Sequence, residues 1–195
     1  MTLRTTRVIQ ALAVSIAAGA LPLTAVATSA AGSTTAGTAA ASTAYCGITW
    51  GSLAKSSAPM VRGPVTGVRA GRHACFDRLV IDVTGRAPGF SVQYVNAVYT
   101  EGKGTLVPLR GGARLRVVAL APAYTATGAP SFTPANRSEV VNVTGYPTFR
   151  QVAWAGSFEG QTTLGLGVRA RLPFRVFTIQ DATTSRLVID VANHW

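Results

Sequence analysis

The sequence predicts an all-β protein, a single β-sandwich of about seven or eight strands. Short runs rich in Val, Ile, Leu and aromatic residues recur along the chain, and turn-forming residues separate them. No window of the sequence carries a sustained helical period. Several short strands spaced in this way are typical of sandwiches.

The strand signals fall in seven runs bounded by Gly- and Pro-rich turns. These runs are 78–83, 90–99, 114–120, 148–156, 162–168, 174–179 and 186–191. The first and last runs have the same sequence, RLVIDV, in which Leu, Ile and Val fall on one strand face and Arg, Val and Asp on the other. The repeat suggests neighbours in one sheet or equivalent positions in two halves; alternatively, RLVIDV is simply a good strand sequence.

The start of the chain has the pattern of a secretory signal peptide. Arg4 and Arg7 precede an apolar run from Val8 to about Val26, and small residues follow. We expect residues 1–30 to be cleaved off, leaving no transmembrane anchor. A retained anchor is the weaker alternative because no positively charged stop follows the run. The next stretch is nearly all Ala, Ser, Thr and Gly, so we expect a disordered leader over 31–44 and one folded domain over 45–195.

The chain is strongly basic, with 18 Lys and Arg against 7 Asp and Glu and a formal net charge of +11. The surplus either keeps the surface soluble or attracts a polyanion. For a secreted, extracellular protein the expected polyanions are wall polymers and anionic lipid head groups. No nucleic-acid-binding motif accompanies the charge, so no nucleic-acid partner is expected.

Cys46 and Cys75 are the only cysteines. In an oxidising compartment such a pair is expected to form a disulfide, which here would close a loop of about 30 residues and add about 3.5 kcal/mol through chain entropy. A thiol nucleophile or a metal site is the alternative, but two cysteines and two histidines supply no cluster with metal-ligand spacing. No metal and no cofactor are expected.

Candidate catalytic groups are few. The histidines, His73 and His194, lie in no catalytic motif, and no G-x-S-x-G nucleophile elbow occurs. Asp82 and Asp190 are the only well-matched pair of acids, and each follows an Arg four residues earlier on the same strand face, which favours a salt-bridge or turn-anchoring role over catalysis. We therefore expect no enzymatic activity. The alternative is a wall-active hydrolase or transferase that uses Asp82, Glu159 or Asp190.

The stretch from 148 to 176 combines aromatic rings with arginines. A ring can stack on a sugar, and a guanidinium can pair bidentately with a carboxylate or phosphate. The candidate ligand-binding residues are Arg150, Trp154, Phe158, Arg169 and Arg171. The alternative is core packing for the rings and solvated positions for the arginines. Nearby, Gly165 and Gly167 clear one strand face, which can accept a crossing backbone, an aromatic ring or a ligand.

Four parts of the chain together resemble AMIN-like domain proteins of the secreted actinobacterial type. They are CGITWGS at 46–52, VRAGRHACFDRLVIDV at 68–83, VPLRGGARLRVVALAPAY at 107–124, and TFRQVAWAGSFEGQTTLGLGVRARLPFRV at 148–176 followed by RLVIDVANHW. The resemblance implies a β-sandwich related to the AMIN domain, which is found beside cell-wall amidases and secretion pores and is associated with peptidoglycan binding.

The resemblance implies peptidoglycan binding, the basic charge suits an anionic polymer such as teichoic acid, and no catalytic motif is present. The leading hypothesis is therefore a cell-wall-associated, non-catalytic protein that binds peptidoglycan or an associated anionic polymer. The resemblance implies no catalytic residues. A third hypothesis is a protein-interaction module, whose exposed strand edges would pair with another envelope protein.

Overall fold

The computed structural model describes residues 45–195. The predicted signal peptide and the predicted leader therefore lie outside the described residues. One short 3₁₀ helix, Tyr45–Gly47, precedes eleven strands. No helix of residues 45–195 is long and apolar enough to cross a membrane.

In chain order the strands are β1 (Lys55–Ser57), β2 (Val65–Arg72), β3 (Phe76–Thr84), β4 (Phe90–Val95), β5 (Val98–Tyr99), β6 (Leu106–Val107), β7 (Ala113–Ala119), β8 (Phe149–Phe158), β9 (Gln161–Val168), β10 (Phe174–Gln180) and β11 (Thr184–Ala192). A five-stranded sheet has the order β1-β4-β7-β9-β8, and a four-stranded sheet has the order β10-β11-β3-β2. Strands β5 and β6 form a separate two-stranded ribbon. All neighbouring strands are antiparallel.

The two main sheets pack on a single apolar core, which confirms the predicted all-β sandwich. Strand residues alternate between this core and the outer faces because successive side chains point to opposite sides of a strand. The fully buried side chains come from both sheets and include Leu79, Ile81, Leu115, Leu164, Leu166, Leu187 and Ile189.

Each of the seven predicted runs contains a strand, but the structure adds strands that the apolar pattern did not reveal. Strands β1 and β6 span only three and two residues. Strand β2 lies at a sheet edge and has the sequence VTGVRAGR, in which glycines and arginines dilute the apolar signal. The run predicted at 90–99 divides into β4 and β5. The two main sheets therefore contain nine strands.

The two RLVIDV segments are neighbours in the four-stranded sheet. Strands β3 and β11 run antiparallel, with Ile81 paired with Leu187, Arg78 with Asp190, and Asp82 with Arg186. The repeat thus brings the arginine of each copy opposite the aspartate of the other, and one of these two pairs, Arg78 with Asp190, forms a salt bridge between the strands.

The glycine strip on β9 accepts a crossing backbone, the first of the three predicted alternatives. A Cβ atom built on Gly167 would overlap the carbonyl oxygen of Arg110, and one on Gly165 would lie 2.7 Å from Cδ1 of Leu109. Leu109 belongs to a small second cluster on this outer face, formed with residues of β5 and β8. The strip therefore holds the segment that leads into β7.

The predicted disulfide between Cys46 and Cys75 is present. It joins the 3₁₀ helix before β1 to the turn between β2 and β3, across a sequence separation of 29 residues. The covalent link thus ties the start of the described chain to the four-stranded sheet.

Candidate functional site

Several strands of both sheets begin or end together at one end of the sandwich. From the five-stranded sheet these are the ends of β4 and β9 and the starts of β7 and β8. From the four-stranded sheet they are the ends of β2 and β11 and the starts of β3 and β10. The amides of Thr148 and Phe149 donate to Asp77 Oδ2 at 2.7 and 2.9 Å, which joins the starts of β8 and β3.

This end of the sandwich collects arginines that have no acidic partner. Residues 45–195 contain fourteen arginines, of which six form ion pairs with a carboxylate. Of the other eight, five lie where the strands named above begin or end. We call these five the basic end: Arg72, Arg114, Arg150, Arg169 and Arg171. None of the five forms an ion pair with a carboxylate of residues 45–195, so positive charge is concentrated at this end.

Backbone carbonyls hold several of these guanidinium groups in place. Arg150 Nη1 donates to the carbonyl oxygens of Tyr146 and Phe149 at 3.0 and 2.9 Å. Arg72 Nη1 donates to the carbonyl oxygen of Gly145 at 3.3 Å. A carbonyl accepts a hydrogen bond but carries no net charge, so these contacts orient the arginines and leave their charge available.

Arg169 is held by a polar network at the junction of the two sheets. Its guanidinium donates to the carbonyl oxygen of Asn193, and its amide donates to the carbonyl oxygen of Thr148 at 2.9 Å. The Thr148 hydroxyl in turn donates to Asn193 Oδ1 at 2.9 Å. The amide side chain of Asn193 donates to the carbonyl oxygen of Ala74 at 3.1 Å. The segment after β11 therefore helps to fix one arginine of the basic end.

Asp77 is a buried acid beneath this surface. Its Oδ2 atom accepts the two amide hydrogen bonds from Thr148 and Phe149, whereas Oδ1 has no hydrogen-bond partner within the part of the chain that the structure describes. Burial raises the pKa of Asp77, and the two amide hydrogen bonds and the nearby charges of Arg150 and Arg72 oppose that shift. A buried carboxyl group, whose ionised form is disfavoured by its burial, therefore lies beneath the basic end.

Of the five predicted binding residues, the structure brings Arg150, Arg169 and Arg171 to the basic end. Trp154 and Phe158 lie further along β8. Trp154 is only 8% exposed and packs against Phe132 with ring centroids 5.7 Å apart, as the core-packing alternative expects. Phe158 is 51% exposed at the far end of β8. The five residues do not form a single face, because β8 runs away from the end where the arginines meet.

An arginine and aromatic cluster that the sequence analysis missed lies on the outer face of the four-stranded sheet. Asp190 is fully buried and accepts hydrogen bonds from Arg78 Nε at 2.6 Å and Arg175 Nε at 2.8 Å. The Arg175 guanidinium lies over the Trp50 ring, 4.5 Å from its centroid. The ring of Phe76 lies within 5.6 Å of the same guanidinium. The repeated RLVIDV motif carried part of this signal, since it supplies both Arg78 and Asp190.

Asp82 and Asp190 both form salt bridges, as the sequence analysis expected, but the predicted partners were wrong. Asp82 pairs with Arg69 at 2.8 Å, and Asp190 pairs with Arg78 and Arg175. An arginine four residues away on the same strand lies about 13 Å along it, whereas residues opposite each other on adjacent strands lie about 5 Å apart. The ion pairs therefore cross between strands.

The third acid of the hydrolase alternative, Glu159, lies in the turn between β8 and β9 with a φ of 48°. Asp82 and Asp190, in contrast, lie on β3 and β11 of the other sheet. Residues 45–195 contain no group of three or more His, Cys, Asp or Glu side chains placed to hold a metal ion.

Comparison with protein families matches residues 63–193, about two thirds of the chain, to the AMIN-like domain. The matched segment begins just before β2 and ends just after β11, so it includes all of the four-stranded sheet and most of the five-stranded sheet. No curated protein matches the chain significantly, and no solved structure does.

Proposed function

Because the chain belongs to the AMIN-like domain family, we propose that it is a non-catalytic protein of the cell envelope that binds an anionic wall polymer, peptidoglycan or teichoic acid. The basic end is the binding surface. The observation that carries this proposal is the gathering, at one end of the sandwich, of five arginines that have no described acidic partner.

The charge of these arginines suits a wall polymer. A guanidinium group presents a planar fork of N–H donors that matches a carboxylate or a phosphate, and it stays protonated at any physiological pH. Peptidoglycan carries carboxylates on its peptides, and teichoic acids carry a phosphate in each repeat. Several such groups along one polymer can contact several arginines at once, which strengthens binding without requiring a deep pocket.

The hydrogen bonds to backbone carbonyls favour binding as well. An arginine that is already oriented loses less conformational entropy when it captures an anion than a free side chain does. Arg150 and Arg169 are oriented in this way. They are also two of the five residues that the sequence singled out, and Arg72 and Arg114 join them from other parts of the chain.

The absence of catalysis is part of the proposal and rests on the contacts of two of the three candidate acids. Asp190 is buried and hydrogen-bonded to two arginines, and Asp82 pairs with a third. A carboxylate whose oxygens already accept hydrogen bonds from guanidinium groups is less available to act on a substrate. The disulfide suits a protein exported to an oxidising compartment, where a wall polymer is accessible.

Co-sedimentation of the purified, oxidised protein with isolated cell-wall sacculi tests this function. Sacculi with and without teichoic acid are compared across a salt series. We expect binding at low salt that weakens as salt screens the arginines, with a difference between the two preparations that identifies the polymer. An absence of sedimentation with both preparations at low salt would overturn the proposal. Release of soluble wall fragments during the incubation would overturn its non-catalytic part.

A further inference from the structure

A small cavity opens at the basic end, where β4 ends and β7 begins. It has a volume of about 240 Å³, and its lining includes Tyr94, Asn96, Gly112, Arg114 and Arg171. Two of the five arginines of the basic end therefore line the same cavity. No Asp or Glu is among its lining residues.

Arg171 is fixed by contacts on three sides. Its guanidinium lies over the Tyr94 ring, 5.0 Å from the centroid. Its Nε and Nη2 atoms donate to the hydroxyl and the carbonyl oxygen of Ser52, both at 3.2 Å. Its own carbonyl oxygen accepts a hydrogen bond from Trp195 Nε1 at 2.9 Å. The Nη1 atom donates no hydrogen bond within residues 45–195, so it remains available to a ligand.

Tyr94 holds the adjacent turn and contributes no negative charge. Its hydroxyl donates to the carbonyl oxygen of Leu172 at 2.8 Å and accepts from the amide of Leu172 at 2.9 Å. Burial raises the pKa of Tyr94, so the hydroxyl stays protonated at neutral pH. The turn that carries Arg171 is therefore fixed by a neutral group.

Arg114 lines the cavity from the outer face of the five-stranded sheet. It lies on β7 beside Leu115, whose side chain points into the core, so the Arg114 side chain leaves the outer face of the five-stranded sheet. Arg114 is half-buried and forms no ion pair with a carboxylate of residues 45–195.

We propose that this cavity binds a single oxyanion, the carboxylate or phosphate group at an end or branch of an envelope polymer. Two guanidinium groups with no neutralising acid, together with the Asn96 amide, provide donors for both oxygens of such a group. The cavity is smaller than the roughly 300–1,000 Å³ of ordinary small-molecule pockets, so it suits a charged end group better than a sugar ring. That the oxyanion belongs to an envelope polymer rests on the proposed function. That the cavity binds an oxyanion rests on its lining residues alone.

The test is a titration of the purified, isotopically labelled protein with two separate probes, followed by NMR. Inorganic phosphate represents the phosphate of a wall polymer, and N-acetyl-D-alanyl-D-alanine represents the carboxylate of a peptide stem. We expect one probe or both to shift the Arg114 and Arg171 Nε–H signals and the Gly112 amide signal in a saturable way. The probe with the lower Kd identifies the source of the anion.

Matched variants separate this cavity from general charge attraction. Arg114→Gln is expected to raise the Kd of the better probe about tenfold, because a charge-assisted contact is lost. Arg62→Gln removes the same charge before β2, at the other end of the sandwich, and is expected to change Kd less than about twofold. Arg114→Lys keeps the charge but loses the planar fork, so it is expected to raise Kd by an amount between those of the two glutamine variants.

Two results would overturn the cavity proposal: no saturable shift with either probe, or equal weakening by Arg114→Gln and Arg62→Gln. If the protein still sediments with sacculi in that case, the proposed function stands without the cavity. If the probes bind and Arg114→Gln abolishes binding, but the protein does not sediment, the cavity stands and the proposed function fails.

Discussion

Arg78 on β3 lies directly opposite Asp190 on β11, and its Nε atom donates to Oδ1 at 2.6 Å. Asp190 is fully buried and accepts hydrogen bonds from Arg78 and from Arg175, which reaches it from β10. One carboxylate thus links three strands of the four-stranded sheet. Removing it would leave two arginines close together with nothing to balance them.

We therefore expect Asp190→Asn to lower the free energy of unfolding by about 2–3 kcal/mol, somewhat below the loss for a fully buried pair because both arginines are partly exposed. Urea unfolding monitored by fluorescence measures this change. Asp82→Asn is the matched control on the same sheet face. Its pair with Arg69 is solvent-exposed and should be worth about 1 kcal/mol or less. Equal losses in the two variants would contradict this account of Asp190.

Asp77 predicts a dependence of stability on pH. Burial raises its pKa in the folded protein, so its contribution to stability is complete below the pKa of the unfolded chain, about 3.9, and is lost as the pH rises through the folded pKa. Asparagine at this position keeps an oxygen for the Thr148 and Phe149 amides and carries no charge. The stability of Asp77→Asn relative to wild type should therefore improve as the pH rises from about 3 to about 7.

Thermal or urea unfolding at several pH values measures this difference for Asp77. Asp181→Asn, at a half-exposed surface ion pair with Arg186, is the control and should show a much flatter difference. A constant difference between Asp77→Asn and wild type across the range would show that burial does not raise the pKa of this group.

The crossing segment over β9 predicts unequal effects for its two glycines. A methyl group on Gly167 would overlap backbone, the Arg110 carbonyl, which cannot move without displacing the segment before β7. A methyl group on Gly165 would meet only the end of the Leu109 side chain, which can rotate. We expect Gly167→Ala to cost about 3 kcal/mol and Gly165→Ala about 1 kcal/mol. Unfolding of the two variants side by side measures this, and a larger loss for Gly165→Ala would refute it.

The sandwich could be predicted from the sequence because its inner strands carry strong apolar alternation. The Leu, Ile and Val positions of RLVIDV in β3 and β11 show this, since they fill the core as the pattern indicated. Strand β2 could not be found in this way, because it is an edge strand whose place in the sheet comes from pairing with β3. Local sequence carries little information about such pairing.

The basic end was predictable only in part, for a similar reason. Arg150, Arg169 and Arg171 were found because they lie close together in the sequence. Arg72 and Arg114 reach the same surface from β2 and β7, and only the antiparallel order of the strands brings them there. Trp154 was singled out as a large ring beside arginines, but strand alternation places it in the core. Sequence proximity identified part of the charge, and strand order assembled the rest.

The most direct test of the central claim compares sacculus binding by two double variants that lose the same charge. Arg72→Gln/Arg150→Gln removes two arginines from the basic end. Arg62→Gln/Arg86→Gln removes two arginines from the other end of the sandwich, one just before β2 and one just after β3. Unfolding curves first establish that each variant is folded. The account predicts at least about a tenfold loss of affinity for the first variant and less than about a threefold loss for the second, because short-range contacts outweigh screened net charge. Equal losses would show that binding depends on overall charge, and would contradict a binding surface at the basic end.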